Sequence, residues 1–406
     1  MLTIPHALVF AGAGLLLLSL PALADEHKAA PGDGTISAAA AKAKEGDTIV
    51  LEAGEYTDSV RLPGGVTLKG AGAGKTILTG KSYAAIYCEG PHVTISGLTI
   101  RHAEGVVRGV NTSTPVRVER CRFEKVPEAV ALMTAPLSDV VACEFHECGI
   151  GVRAIAESAP TVWGCRFTGG RIGVFNMEGA PHIRNNVFDG VETGVRLVVG
   201  ENADGAIIRS NVSHRCRNAA IEAESRAEPI FGPSIRNNIA VGCGTAVIAP
   251  AGLARRITHN LAHECGEAPF RDKAGKTLES ENARDDPKLA FTPEGDVAIG
   301  AQEVTAGKGL GAAKGEAADI GPEKGWGRFG CAAAAELPPV RFGETKIANS
   351  VREEYQYLGV LGARMSGQSL QQKDGKAYDV MEATGADGKP LEVRFDISRF
   401  FKERGL

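Results

Sequence analysis

Cys121-Arg-Phe123, Cys143-Glu-Phe145, Cys165-Arg-Phe167 and Asn186-Val-Phe188 recur along the chain at intervals of 22, 22 and 21 residues. The column continues as Asn211, Asn238 and Asn260. Ahead of each position stands a β-branched residue: Ile95, Val118, Val140, Val162, Ile183, Ile208, Ile235 and Ile257. A second column, mostly preceded by Gly or Ala, is Val107, Val130, Val152, Val174, Val195, Ile221 and Val247. A unit this short, with β-branched segments broken by Gly and Asn, cannot hold a helical pair and lacks the leucines of a leucine-rich repeat. A coil of parallel strands remains. Stacked at ~4.8 Å per coil, roughly nine coils between residues 46 and 265 predict a rod ~40–45 Å long.

The stacking gives the Asn column a physical meaning. A side-chain amide both donates and accepts, so amides turned inward at successive coils can bond one another and the turn backbone. Cys in the same column serves as a small buriable residue. Composition agrees: Gly is 51 of 406 residues, as frequent turns require. With 45 Lys and Arg against 49 Asp and Glu, the net charge of −4 gives no electrostatic handle on nucleic acid or an anionic membrane.

The segment Thr35-Ile-Ser-Ala-Ala-Ala-Ala-Lys-Ala-Lys-Glu-Gly46-Asp47-Thr-Ile-Val-Leu-Glu-Ala-Gly-Glu-Tyr56, followed by Gly65-Val-Thr-Leu-Lys-Gly-Ala-Gly72 and Thr76-Ile-Leu78, resembles the start of right-handed parallel β-helices of the pectin-lyase-like superfamily. The resemblance implies an amphipathic helix plugging the N-terminal end, then the first strand after Gly46-Asp47. It covers about residues 32 to 323, where Ala318-Asp-Ile-Gly321 resembles a closing segment. The fold class expected is therefore all-β: a right-handed parallel β-helix with an N-terminal capping helix and a small C-terminal α+β module. That fold hosts lyases, hydrolases, epimerases, adhesins and non-catalytic proteins, so the resemblance fixes architecture and leaves chemistry open.

Residues 7 to 20 are apolar and lead through Pro21 into Ala22-Leu-Ala24, a small-x-small pattern before Asp25. The run is short for a membrane span, and no later segment is long enough. The expected organisation is a signal peptide over 1–24, a β-helix with caps over 25–323, a linker over 324–341 and a small module over 342–406. The mature chain is expected to be exported, periplasmic or secreted, with no membrane span, and monomeric. In the module, Ile347, Val351 and Tyr355 read as one helical face, while Tyr378-Val380 and Leu391-Val393-Phe395-Ile397 alternate around Ala386-Asp-Gly-Lys389 as a hairpin. Asp396 and Ser398 read as caps of a final helix carrying Phe400 and Phe401.

Strand alternation places the residue after each Val outward: Arg108, Ala131, Arg153, Phe175, Arg196, Glu222 and Ile248. Two positions on are Met133, Ile155, Met177, Val198 and Glu224. The resemblance implies that in catalytic members this face and its flanking turns carry the site. Longer turns at Val199–Gly205 and Glu224–Gly232 would wall a groove there. The ligand-binding candidates are Arg153, Arg196, Glu222 and Glu224. Arginine would hold a uronate or sulfate while the glutamates take sugar hydroxyls or a cation; calcium is expected only if a polyuronate binds, and no other cofactor is. An ordinary surface ion pair between Arg196 and Glu222, worth ~0–1 kcal/mol, is the cheaper explanation. No Asp-Asp with His-Gly pattern of the polygalacturonases is present, and Asp285-Asp286-Pro287 reads as a turn cap. The apolar stripe Met133, Ile155, Met177 and Val198 with Phe175 calls for a cover, and the C-terminal linker or module is expected to supply it.

Nine cysteines in an exported chain suggest disulfides, but Cys121, Cys143 and Cys165 form one ladder and Cys216, Cys243 and Cys265 another, which stacking alone explains. His-x-Cys occurs at His146-Cys148, His214-Cys216 and His263-Cys265. The motif resembles that of periplasmic copper-linked β-helix proteins of nitrous oxide reductase maturation; repeat-driven coincidence is the preferred reading, and no metal site is assigned. The leading function is an exported scaffold binding a polysaccharide or cell-surface glycan without catalysis. The alternatives are a lyase, hydrolase or epimerase on acidic glycans, and periplasmic metal handling.

Overall fold

The computed structural model describes residues 24–156, 158–200, 205–225, 232–278, 282–284, 286–291, 297–299, 331 and 337–398. Residues 1–23 of the expected leader, the expected closing segment at 318–321 and Phe400 and Phe401 lie outside the described residues, as do most of the expected linker and parts of both long turns. Three parallel sheets wind into a right-handed solenoid. Sheet A runs from Glu26–Ala29 to Ile257–Thr258 and sheet B from Gly32–Asp33 to Leu261–His263, eleven strands each. Sheet C runs from Val60–Leu62 to Phe270–Arg271 in ten. Eleven rungs make a rod about 50 Å long, longer than nine coils would give. One extra rung arises at the start, where Glu26–Ala29 pairs in register with Thr48–Leu51, ahead of the helix rather than after it; the other lies within the expected span, which holds ten sheet A strands. Helix Thr35–Ala40 still buries Ile36, Ala39 and Ala40 in the core.

The corner between sheets A and B is built by a repeated local device. Arg120, Ala142, Gly164, Asn185, Ser210, Asn237 and His259 all have φ between 50° and 66°, and each immediately precedes a Cys or Asn of the ladder. A left-handed residue reverses the strand's facing, so the next side chain turns inward. Asn186, Asn211 and Asn238 donate to the side-chain oxygens of Asn211, Asn238 and Asn260 at 3.0, 2.9 and 2.9 Å. Asn282 continues the column, accepting from Asn260 at 2.9 Å. Backbone carbonyls take the second amide hydrogen, Val162 from Asn186 and Ile183 from Asn211. The side-chain amides of Asn186 and Asn211 are thereby satisfied from within. The cysteines are free thiols, eight of them buried.

Inside, Phe123, Phe145, Phe167 and Phe188 stack face to face with centroids 5.1, 4.5 and 4.8 Å apart. They explain the glycines ahead of Val152 and Val174 in sheet C. A Cβ on Gly151 would meet the Phe167 ring at 2.5 Å, and one on Gly173 the Phe188 ring at 2.5 Å. One rung differs from the expected column: Val110, not Val107, pairs with Val130, so Asn111 rather than Arg108 precedes Ala131 in the outward column.

The C-terminal unit has helix Val351–Val360 and a four-stranded sheet ordered Lys346–Ile347, Pro390–Asp396, Lys376–Thr384, Arg364–Lys373. The hairpin between Lys376–Thr384 and Pro390–Asp396 is as expected, and Ser398 donates its backbone N–H to Asp396. The helical face is not. Tyr355 is exposed, Ile347 sits in a strand, and the helix buries Glu353, Glu354, Tyr357 and Leu358. Those residues dock on the solenoid. Arg341, 1% exposed, pairs with Glu353 and donates to the carbonyls of Ser138 and Ala159 at 3.2 and 3.0 Å. Glu353 also accepts from the Leu137 amide at 2.7 Å, and His92 bonds the Tyr357 hydroxyl at 2.8 Å. Arg117 reaches the Pro338 carbonyl at 3.0 Å. These contacts lie on sheet A and the turn leading into it, so the described part of the unit does not cover the Met133–Val198 stripe on sheet C; most of the linker, the other expected cover, lies outside the described residues.

Candidate functional site

The outer face of sheet C carries the four sequence candidates, in two clusters. Register puts Arg153, Phe175, Arg196, Glu222, Ile248 and Arg271 in one column, a rung apart each. Alternation aims them outward, because the Val column before them and Ala154, Leu197 and Ala223 after them fill the core.

At the first cluster Glu128 is the hub. It accepts from Arg108 at 2.8 Å and lies 3.4 Å from Arg153. Arg108 also donates to Asn111 at 2.7 Å and covers the Tyr83 ring at 5.2 Å. Arg153 is therefore not joined to Arg196, which lies two rungs, about 10 Å, along the column with Phe175 between them.

At the second cluster Glu224 is the hub. Arg196 donates to it at 2.8 Å and Lys273 lies at 2.8 Å, whereas Glu222 is 3.9 Å from the Arg196 guanidinium. The primary partner of Arg196 is thus Glu224 rather than Glu222. Two neighbouring cations, Lys273 first and then Arg196, hold the Glu224 carboxyl below its ordinary range. Beside it opens a cavity of about 310 Å³ lined by Glu224, Ser225, Pro250, Ala251, Asp272 and Lys273. Glu128 and Lys273 were not legible as partners: Glu128 precedes the Val column, and Lys273 follows a rung whose repeat had already decayed.

Sheet B carries another groove, of about 380 Å³, lined by Arg122, Glu124, Glu144, His146, Arg166 and Thr168. Its charges are largely paired, Arg122 with Glu144 at 2.8 Å and Arg101 with Glu124 at 2.9 Å. The Cys331 amide donates to Glu144 at 3.1 Å, bringing the C-terminal segment to its edge.

The His-x-Cys motifs do not assemble a metal centre. In all three the middle residue, Glu147, Arg215 or Glu264, has φ between 51° and 53°, so the histidine stays outside while the thiol turns in. Cys148, Cys216 and Cys265 are buried, and Cys148 and Cys265 donate to carbonyls of the core wall. His214 pairs instead with Asp189 at 3.0 Å. Among the described residues no three His, Cys, Asp or Glu side chains converge as metal ligands. Asp286 accepts from the Lys288 amide at 2.7 Å, the turn-capping role expected of it.

Residues 84–261 match the family described as right handed beta helix region. No curated protein matches the chain. Among solved structures, a PL6 family alginate lyase, AlyGC, aligns at 14% identity and TM-score 0.37, covering 79% of this chain and 60% of its own. The A-module of Azotobacter vinelandii mannuronan C-5 epimerase AlgE6 aligns at 17% identity and TM-score 0.41, covering 62% and 76%. A Geobacillus virus E2 protein, ORF18, aligns at 10% identity and TM-score 0.35, covering 87% and 66%. This chain thus spans about three fifths of the length of the lyase. No described helix is long and apolar enough to cross a membrane.

Proposed function

We propose that the chain is an exported, monomeric scaffold that binds an acidic polysaccharide or cell-surface glycan, without catalysis, along the outer face of sheet C. The observation that carries this reading is the column Arg153, Phe175, Arg196, an aromatic ring flanked by guanidiniums along the rod axis. An extended glycan laid along the axis would meet charge-assisted donors for its acid groups and an apolar ring for a sugar face. Glu128 and Glu224 hold the arginines in place through ion pairs. The downward shift of Glu224 argues against that residue as a general base, which works best with a pKa near the operating pH. A carboxylate that stays ionised suits a bridging cation such as calcium, should the ligand be a polyuronate.

In this reading residues 25–323 are the solenoid with its caps, 324–341 the linker and 342–406 a docked second unit, in a protein of the periplasm or the medium. The test is a glycan-array and product-release screen on the chain beginning at Asp25. Retention of a polyuronate with no released product supports the scaffold, and Arg196→Ala should weaken that retention about tenfold, the loss of one charge-assisted bond. Sustained product release that Arg196→Ala abolishes would establish a lyase or hydrolase instead, and an inverted uronate configuration in the uncleaved polymer would establish an epimerase.

A further inference from the structure

The first rung of the solenoid begins at Asp25 with its backbone fixed. The Asp25 carbonyl accepts from the Thr48 amide at 2.9 Å, and the strand continues from Glu26 in register with Thr48. The Asp25 backbone nitrogen donates to one oxygen of Asp47 at 2.9 Å. The other oxygen accepts from the Lys44 amide at 2.8 Å and meets the His27 ring at 2.9 Å. Asp47 is 5% exposed. A carboxylate so placed needs a compensating cation, and none of these three donors carries a permanent charge.

We propose that the Ala24–Asp25 bond is a processing site and that Asp47 is the receptor for the α-ammonium that its hydrolysis leaves on Asp25. The proposal rests on the small-x-small pattern Ala22-Leu-Ala24 and is independent of any glycan binding. A peptidase cleaving after small residues adds water across the amide. The C–N bond breaks, the water oxygen completes a carboxylate on Ala24, which leaves with the leader, and both water hydrogens end on the Asp25 nitrogen as NH₃⁺. The nitrogen that donated as an amide then donates as a cation, already within hydrogen-bond distance of its counter-ion. Such charge-assisted bonds are roughly twice as strong as neutral ones. Other ionisable groups on these elements are the Asp25 carboxylate itself, Glu26 and Lys28 of the strand, Lys44 and Glu45 of the loop, and Lys69 on the next rung. Cleavage would thereby tighten the first rung of the rod.

The test compares the chain beginning at Asp25 with one retaining Ala24, each with Asp47 and with Asp47→Asn, after intact-mass analysis of the exported protein. The expected results are an exported chain beginning at Asp25, melting about 2 °C or more above the Ala24 form, and no such difference in Asp47→Asn. At mild alkaline pH the Asp25 amine should also react several-fold more slowly with an amine reagent than the same amine in the unfolded chain. A different mature N-terminus, or equal melting with unprotected labelling, would overturn the proposal. If Asp47→Asn does not fold, the two unsubstituted chains and the labelling rate decide it alone.

Discussion

Gly151 shows how a single atom is dictated by a partner some distance along the chain. Its place ahead of the Val column was legible as a small residue, but the reason was not, because the Phe167 ring that fills the space arrives from another sheet. Gly151→Val should cost more than about 2 kcal/mol by overpacking a core that cannot yield. Chemical denaturation checks this, and a loss below half that value would mean the stack can shift. The same distinction runs through the site. That Arg196 and Glu222 share an outward column could be read from strand alternation, whereas the stronger partner of Arg196, Glu224, and the cation beyond it, Lys273, depend on side-chain reach and on a turn where the repeat fails.

At the scale of one element, the opening rung illustrates what periodicity misses. Glu26–Ala29 stands one 22-residue interval ahead of its partner Thr48–Leu51, but it carries His27 where the column continues as Ile49, Leu68 and Ile95, so the pattern does not announce it. Its anchor is Asp47, whose carboxyl is held down to about 2 from an ordinary 3.8 by the Lys44 amide, His27 and the Asp25 amide. Between those values the unfolded chain binds the proton more readily, so the stabilisation is complete above about 3.8 and is lost as pH falls through about 2. Amide exchange in Glu26–Ala29 should accelerate over that window, and Asp47→Asn should remove the pH dependence while leaving exchange fast throughout. A window unchanged by the substitution would assign the effect elsewhere. The exposed edge strand Arg364–Lys373 escaped detection for a different reason. With both faces in solvent it has almost no apolar alternation to read.

For the molecule as a whole, the columns foretold the solenoid, its amide and thiol ladders and its direction of growth. Which face the C-terminal unit would choose was not foretold, since the decisive residues are charged. Arg341 and Glu353 are almost fully buried, and burial pushes the Glu353 carboxyl upward while Arg341 and two backbone amides oppose the shift. Removing one partner of such a pair leaves the other charge without compensation, typically ~3–5 kcal/mol. Glu353→Ala should therefore release the unit, exposing the segment around Arg341 to limited proteolysis with the solenoid intact. Unchanged cleavage would show that the apolar contacts of Tyr357, Phe395 and Leu137 suffice for docking. The unit stands on sheet A and so leaves the Arg153, Phe175 and Arg196 column of sheet C to be judged on its own residues.

Calorimetric titration of the chain from Asp25 with a defined oligouronate, alongside Arg153→Ala, Arg196→Ala and the double variant, addresses that column most directly. Stoichiometric binding should weaken about tenfold in each single variant and by about the product of the two in the double, as for separated contacts on one extended ligand. Binding of the same affinity in all four proteins would contradict a ligand lying along Arg153, Phe175 and Arg196.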